Sequence, residues 1–176
     1  MITAFINENV DPRVILRAAQ QEFKLDATVQ FVDLDRTAGH THILFATYNA
    51  LKAHVLDKMI SRSAAIEILL YIAAERQIAQ AFERMGVQKD TRMVAVIAAG
   101  SSGVLSLVED YLRNSFNHEC SDGLLDEWTE QRAMTILKVF SVAPNEIETV
   151  TRSGNSTQKP IQRLVIERSA LLAVRR

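Results

Sequence analysis

ISRSAAIEILLYIAAERQI, residues Ile60 to Ile78, opens with an arginine between two serines. It then runs apolar, with Glu67 as the lone charge until Glu75 and Arg76. Ile66, Leu69, Leu70, Ala73, Ile78, Ala81, Phe82 and Met85 recur at the i, i+3, i+4 spacing of a helix face. Ile68, Tyr71, Ile72 and Ala74 fill the remaining sides through the middle. The pattern predicts a long helix from about Ser63 to Met85, packed on more than one side and therefore central to the fold. Ser61 or Ser63 is placed to cap it, and Gly86 to stop it just after Arg84. A carboxylate in that setting is costly unless paired or near the surface, so Glu67 is expected at the rim or beside a basic neighbour.

Working outward, Ile2 to Ile6 reads as a strand, and Asp11-Pro12 as an N-cap followed by proline at the first helical position. Val14, Ile15, Ala18, Ala19 and Phe23 carry that helix to about Lys24. Val29, Phe31 and Leu34 suggest a second strand, followed by a loop over Asp35 to Gly39. Helical spacing returns from His42 to Met59, with Leu44, Ala46, Leu51, Val55 and Leu56 as the apolar positions. Met93 to Ala98 is continuously apolar and rich in β-branched residues, the pattern of a strand buried on both faces. Gly100 to Gly103 then turns into a helix ending near Phe116, and Asp122 is placed to cap a helix from Gly123 to Phe140. Pro144 starts a short helix, Arg152 to Lys159 is loop-like, and Pro160 opens a last helix over Ile161 to about Val174. About three strands against six or seven helices make this a helix-rich α+β fold, one domain over residues 1–176 with a central buried helix and a small sheet.

The composition suits such a fold. In 176 residues, 48% are hydrophobic and 23% charged, ordinary values for a globular chain. A net charge of −1 gives no bulk attraction to polyanions, so any nucleic-acid contact needs a local basic patch. The single cysteine, Cys120, excludes an internal disulfide. No secretory leader is read at the N-terminus, and Ile68 to Ala74 is far shorter than the roughly 20 residues a membrane span needs, so a cytoplasmic protein is expected.

Candidate chemistry is thin. Gly100-Ser101-Ser102-Gly103 follows a strand, but Val104-Leu105 stands where a phosphate loop needs Lys-Ser/Thr, and Val104 also spoils a nucleophile elbow. His40 and His42 share a face if extended, yet zinc needs further ligands, and His118 and Cys120 lie far off. His118-Glu119-Cys120 has no surrounding catalytic motif. The more useful pattern is basic: Lys52, Lys58 and Arg62 lie along the end of one helix and the turn into the next, where cations and helix N–H groups favour phosphate oxygens. No metal, no cofactor and no catalytic residue is expected. A binding or scaffolding role is favoured over catalysis.

Asn49 to His54 (NALKAH), the long run to Val87, Met93 to Ile97 (MVAVI) and Leu164 to Leu172 (LVIERSALL) together resemble the small kinase-binding regulatory subunit of the KEOPS (EKC) complex, of archaeal type. The stretch before Thr41 and that from Asn114 to Thr157 match in layout only. The resemblance implies a non-catalytic subunit of the complex that makes threonylcarbamoyladenosine in tRNA. Such a subunit binds and supports a small atypical kinase/ATPase, which sits against the transferase subunit, and it holds the tRNA 3′ CCA end. On this chain Lys52, Lys58 and Arg62 are then expected at the tRNA, with Met59 or Ile60 as an apolar platform for its bases. Leu164, Arg168 and Leu171, at i, i+4 and i+7 of the last helix, are expected to anchor the kinase, or alternatively to pack on their own core. A kinase adaptor without tRNA binding, and a small enzyme using Glu67 or the Gly100–Gly103 loop, are the alternatives.

Overall fold

The computed structural model describes residues 1–8, 10–116, 118, 120–150 and 158–174. Three strands form one antiparallel sheet in the order β1-β3-β2: β1 (Ile2–Ile6), β2 (Ala27–Asp33) and β3 (Met93–Gly100). β3 lies in the middle, with Ala4 opposite Ala95 and Phe31 opposite Val96. Its alternation divides the apolar residues between two cores. Val94, Val96 and Ala98 join Phe5, Val29 and Phe31 under α1 (Pro12–Glu22) and α5 (Ser102–Phe116). Ala95 and Ile97 join Ala4, Val32 and Leu34 under α2 (His40–Val55) and α3 (Ala64–Ala73). Burial on both faces is why MVAVIA reads as an unbroken apolar run. The remaining helices among the described residues are α4 (Ile78–Met85), α6 (Glu130–Val139), α7 (Pro144–Val150) and α8 (Gln158–Val174). The architecture is α+β, and no helix among the described residues is long and apolar enough to cross a membrane.

α3 is the central helix, buried all round from Glu67 to Ala73. The long helix expected from Ser63 to Met85 is nevertheless two. Ala74 adopts a left-handed φ of 52°, its N–H bonds Tyr71 O at 3.2 Å, and Glu75 N–H bonds Leu70 O at 3.0 Å. This is a Schellman ending with alanine where glycine is usual. The chain then doubles back, so that Arg84 donates to Ala73 O at 3.1 Å and pairs with Glu75 at 2.6 Å. Gly86 is extended rather than left-handed, and a Cβ there would come 2.5 Å from Phe82 O. Ser63 occupies the N-cap position of α3 with no side-chain cap bond, while the Ser61 hydroxyl donates to Ser63 O.

Other expectations shift in smaller ways. Asp11 caps α1 by accepting from Arg13 N–H, with Pro12 next, although Val14 faces solvent and the helix stops at Glu22. Leu34 lies past β2 in a 3-10 turn, Leu34–Arg36. The helix expected over Gly123 to Phe140 is a 3-10 segment, Asp122–Asp126, followed by α6 under the Thr129 cap. Arg132 explains the break. Its buried guanidinium collects Thr37 O and the carbonyls of Leu124, Leu125 and Glu127, the last three of which a continuous helix would have used itself. Gln158 and Lys159 already belong to α8, and the rest of the loop expected from Arg152 lies outside the described residues.

Candidate functional site

The basic turn is built by the way α2 ends. Asp57 takes a left-handed φ of 53°, Asp57 N–H bonds His54 O at 3.1 Å, and Lys58 N–H reaches back to Ala53 O at 2.8 Å. This second Schellman ending throws Lys58 out of the helix line. The chain must then climb to the start of α3, and Glu67 holds it there. Glu67 is 0% exposed and accepts from Ile60 N–H at 3.0 Å and from Ser61 N–H at 2.8 Å. The expected rim position or basic partner is therefore replaced by backbone donors. A buried carboxylate satisfied by backbone N–H groups is a strong, charge-assisted anchor. Its effect is to pin the segment between Lys58 and Arg62.

Lys52, Lys58 and Arg62 are all exposed, and no ion pair among the described residues engages them. Lys52 thus lies in the last turn of α2, and Lys58 and Arg62 on the segment that leads from α2 into α3. Met59 and Ile60 are half-buried against the core and are poor candidates for an open platform.

The three residues expected on the last helix are placed differently. Leu164 is 6% exposed and belongs to the core. Arg168 donates to Glu146 at 3.0 Å and to Ser141 O at 3.4 Å, fastening α8 to α7. The Ala143 N–H that Glu146 accepts, with Arg168 beside it, keeps the Glu146 carboxyl below its usual range. Leu171 is the exposed member. It lines an open cleft of about 450 Å³ with Ala74, Phe140, Arg168 and Leu172.

The other candidates resolve into structure. His42 is wholly buried: its Nδ1 accepts from Ala38 N–H at 3.2 Å, and Nε2 lies 3.1 Å from Ile72 O. His40 sits on the same helix rather than on an extended segment. Among the described residues no group of three or more His, Cys, Asp or Glu is placed to hold a metal ion. A Cβ on Gly100 would meet Asp26 O at 2.8 Å, so that glycine serves close packing of the strand end. The Cys120 thiol donates to Glu109 at 3.1 Å, and burial followed by that bond pushes it above its ordinary value, which disfavours the thiolate. His118 faces Glu8 at 3.4 Å.

One feature escaped the reading of residues. Leu44, Val55 and Leu56, together with Tyr48, point to solvent, while α2 buries Ile43, Ala46, Thr47, Ala50 and Ala53. The alanines at 46, 50 and 53 were the available signal, because small residues at that spacing let α2 approach α3 closely.

These elements define a helix-rich α+β protein with an exposed basic segment leading into α3 and an open cleft beside its last helix. The chain belongs to the family of the kinase binding protein CGI-121, whose model matches residues 7–173. It is 25% identical over 104 residues to the EKC/KEOPS complex subunit TPRKB of Danio rerio, a match covering 59% of this chain and 58% of that protein. It is likewise 25% identical over 84 residues to the EKC/KEOPS complex subunit CGI121 of Yarrowia lipolytica, covering 48% and 50% respectively. The chain thus spans about half the length of the curated relatives it matches.

Proposed function

We propose that this chain is a non-catalytic subunit of a KEOPS-type complex in the cytoplasm, binding and supporting the small atypical kinase/ATPase subunit and helping to hold the tRNA 3′ end. Membership of the kinase-binding family supports the first part, and relatives named as KEOPS subunits supply the complex. The second part rests on one observation: the buried carboxylate of Glu67 pins a segment that displays Lys58 and Arg62 without an ion pair among the described residues, just after Lys52 in the last turn of α2. On a chain of net charge −1, that local set is what a narrow grip on a nucleic-acid end requires. The transferase subunit is then reached through the kinase.

The test is co-expression with the kinase subunit followed by tRNA titration. Lys58→Glu with Arg62→Glu should leave the kinase complex intact and weaken tRNA binding at least about tenfold. Removing two phosphate contacts should also lower the slope of log K against log salt by about 1.4. Unchanged affinity and slope would reduce the protein to a kinase adaptor without a tRNA contact.

A further inference from the structure

We infer that the open edge of β2 is a binding pocket for an acylated amino acid: a secondary amide and a carboxylate joined on one apolar residue. The site is separate from the basic segment and from the last helix, and it stands whether or not the chain meets a kinase or a tRNA.

The directions of the backbone groups in the sheet follow from its end. The Met1 amino group donates to Ala98 O at 2.8 Å, and Ala98 N–H donates to Met1 O at 2.9 Å. Ala98 therefore faces β1, and Val96 and Val94 face it too, because directions alternate along a strand. Ile97 and Ala95 then face β2, where they meet Gln30 and Val32. That leaves Val29 and Phe31 with their N–H and C=O groups turned away from the sheet, on an edge strand. Val29 O is taken by α1, whose Gln20 side chain donates to it at 2.8 Å. Asp33, the next outward position, ends the strand and caps the 3-10 turn by accepting from Asp35 N–H. Between these two closures the N–H and C=O of Phe31 have no partner among the described residues. The gap in the edge is one residue long.

A pocket of about 310 Å³ opens at that gap, with the buried Gln30 and Phe31 as its floor and Leu16, Ile66, Phe82 and Val87 as apolar walls. Gln30 is 1% exposed, and its Nε2 has no hydrogen-bond partner, while its Oε1 accepts a long bond of 3.4 Å from Gln20. Buried polar groups are ordinarily paired, so three unpartnered ones at the base of a single pocket point to a ligand. One acylated residue fits them. Its N–H donates to Phe31 O and its carboxylate accepts from Phe31 N–H, as the facing residue of an added strand would. The remaining oxygens are acceptors for Gln30 Nε2.

The charges set the sign of the ligand. The lining holds Arg13 and Arg17 and no Asp or Glu. Arg13 is paired with Asp11 at 2.7 Å, but Arg17 is exposed and in no ion pair among the described residues. A carboxylate on the ligand thus finds an uncompensated guanidinium at the mouth, and its apolar side chain finds Leu16, Ile66 and the half-exposed Phe82. The volume is at the small end for ligand pockets, and Gln20 and the 3-10 turn block a longer strand. Two sources offer this chemistry, a free N-acyl amino acid and the C-terminal residue of a polypeptide.

The experiment titrates the isotope-labelled full chain with N-acetyl-leucine, N-acetyl-leucinamide and an acetylated tripeptide ending in leucine. Binding is followed at the backbone amide resonance of Phe31 and the side-chain amide of Gln30. N-acetyl-leucine should shift both saturably, with a dissociation constant on the order of 1 mM for so small a ligand. N-acetyl-leucinamide, which lacks the carboxylate, should bind at least about tenfold more weakly. Arg17→Glu, a change at an exposed position, should bring N-acetyl-leucine down to that level and leave the leucinamide unchanged. Gln30→Leu removes the unpartnered amide, leaves Gln20 its bond to Val29 O, and should weaken both ligands about fivefold. A tripeptide that binds more tightly than N-acetyl-leucine assigns the pocket to a polypeptide end, and one that binds no tighter assigns it to a free acyl amino acid; both keep the site. Absence of saturable shifts at Phe31 and Gln30 up to about 20 mM N-acetyl-leucine would overturn the inference. Equal affinity for the acid and the leucinamide, or an Arg17→Glu chain that binds the acid as wild type does, would overturn it as well.

Discussion

His42 offers a titration that reports on the core. The ring is 0% exposed and lies edge-on to Phe140, with centroids 5.6 Å apart. Its Nδ1 accepts from Ala38 N–H and its Nε2 donates to Ile72 O, so the neutral imidazole satisfies both neighbours. Protonation would set a second N–H against the Ala38 N–H, and burial pushes the pKa down from 6.5 to about 4. A base depressed in this way destabilises the folded state wherever the unfolded chain takes up the proton first. Above pH 6.5 neither state is protonated and the contribution is flat. Between pH 6.5 and about 4, stability falls by about 1.4 kcal/mol per pH unit, and below that range both states carry the proton.

From pH 6.5 to 4.5 the loss should therefore be about 2 kcal/mol, since each form titrates gradually at its end of the range, read as a falling urea midpoint at constant m. The lowered carboxylates lose their contributions further down. Asp11, held at about 2 by the hydrogen bond from Arg13, loses its share only as pH falls from its ordinary value toward 2. Glu109 and Glu146, also lowered, begin to lose theirs below 4.5. Asp33 acts with the opposite sign: burial raises its pKa, so it favours the folded state as pH falls. Comparison with His42→Gln cancels these shared terms. The variant should be less stable at pH 7.5 by about 1–3 kcal/mol, since an amide replaces the two ring bonds imperfectly. Its midpoint should then stay nearly level to pH 4.5. Parallel pH profiles for the two proteins would refute the assignment.

Glu67→Ala strands the buried N–H groups of Ile60 and Ser61 and should cost about 2–5 kcal/mol in chemical denaturation. Glu67→Gln, which keeps one acceptor oxygen, should cost less. Gly39→Ala combines a left-handed φ of 87° with a Cβ 2.5 Å from Asp126 Oδ1, the atom that accepts His40 N–H at 2.9 Å. It should lose about 1–3 kcal/mol and lower the thermal midpoint by several degrees. Ala74→Gly should act in the opposite direction. Relief of left-handed strain exceeds the added unfolded-state entropy, for a gain of about 0.5–1 kcal/mol in the same assay.

How much of this was legible depends on which residues mark an element. β3 was plain because an unbroken apolar run rich in β-branched residues signals a strand covered on both faces, β1 because Ile2 to Ile6 is weakly alternating and β-branched, and α1 because Asp11-Pro12 is an explicit start. The helix ends were not plain, and one device accounts for several of the misread boundaries. Asp57, Ala74 and Ser141 each take a positive φ and each close a helix with the paired 6→1 and 5→2 bonds. For Ser141 these are Val142 N–H to Leu137 O at 2.9 Å and Ser141 N–H to Lys138 O at 3.2 Å. Glycine or asparagine is the residue that announces such an ending in a sequence. With aspartate and alanine in two of those places, periodicity alone carried the helices onward, α2 to Met59 and α3 through Ala74 to Met85, whereas the helix before Ser141 was read to end at Phe140, as it does. The energy that permits this comes from elsewhere. Arg84 caps the end of α3 with a charge-assisted bond, Glu67 anchors the segment after Asp57, and Arg168 grips Ser141 O.

The candidate surfaces divide along the same physical line. Lys52, Lys58 and Arg62 were readable because exposed charge close together in sequence remains exposed and close together on a turn. The exposed face of α2 was not readable, because Leu44 and Val55 satisfy helical spacing as well as the core positions do. Periodicity names a face but does not say which of two apolar faces the chain itself covers. Packing decides it. α3 brings the bulky side chains, so the helix that lies closest to it turns its alanines inward and leaves Leu44, Tyr48 and Val55 outside. A helix that leaves large apolar side chains in solvent gains little stability from them in the isolated chain.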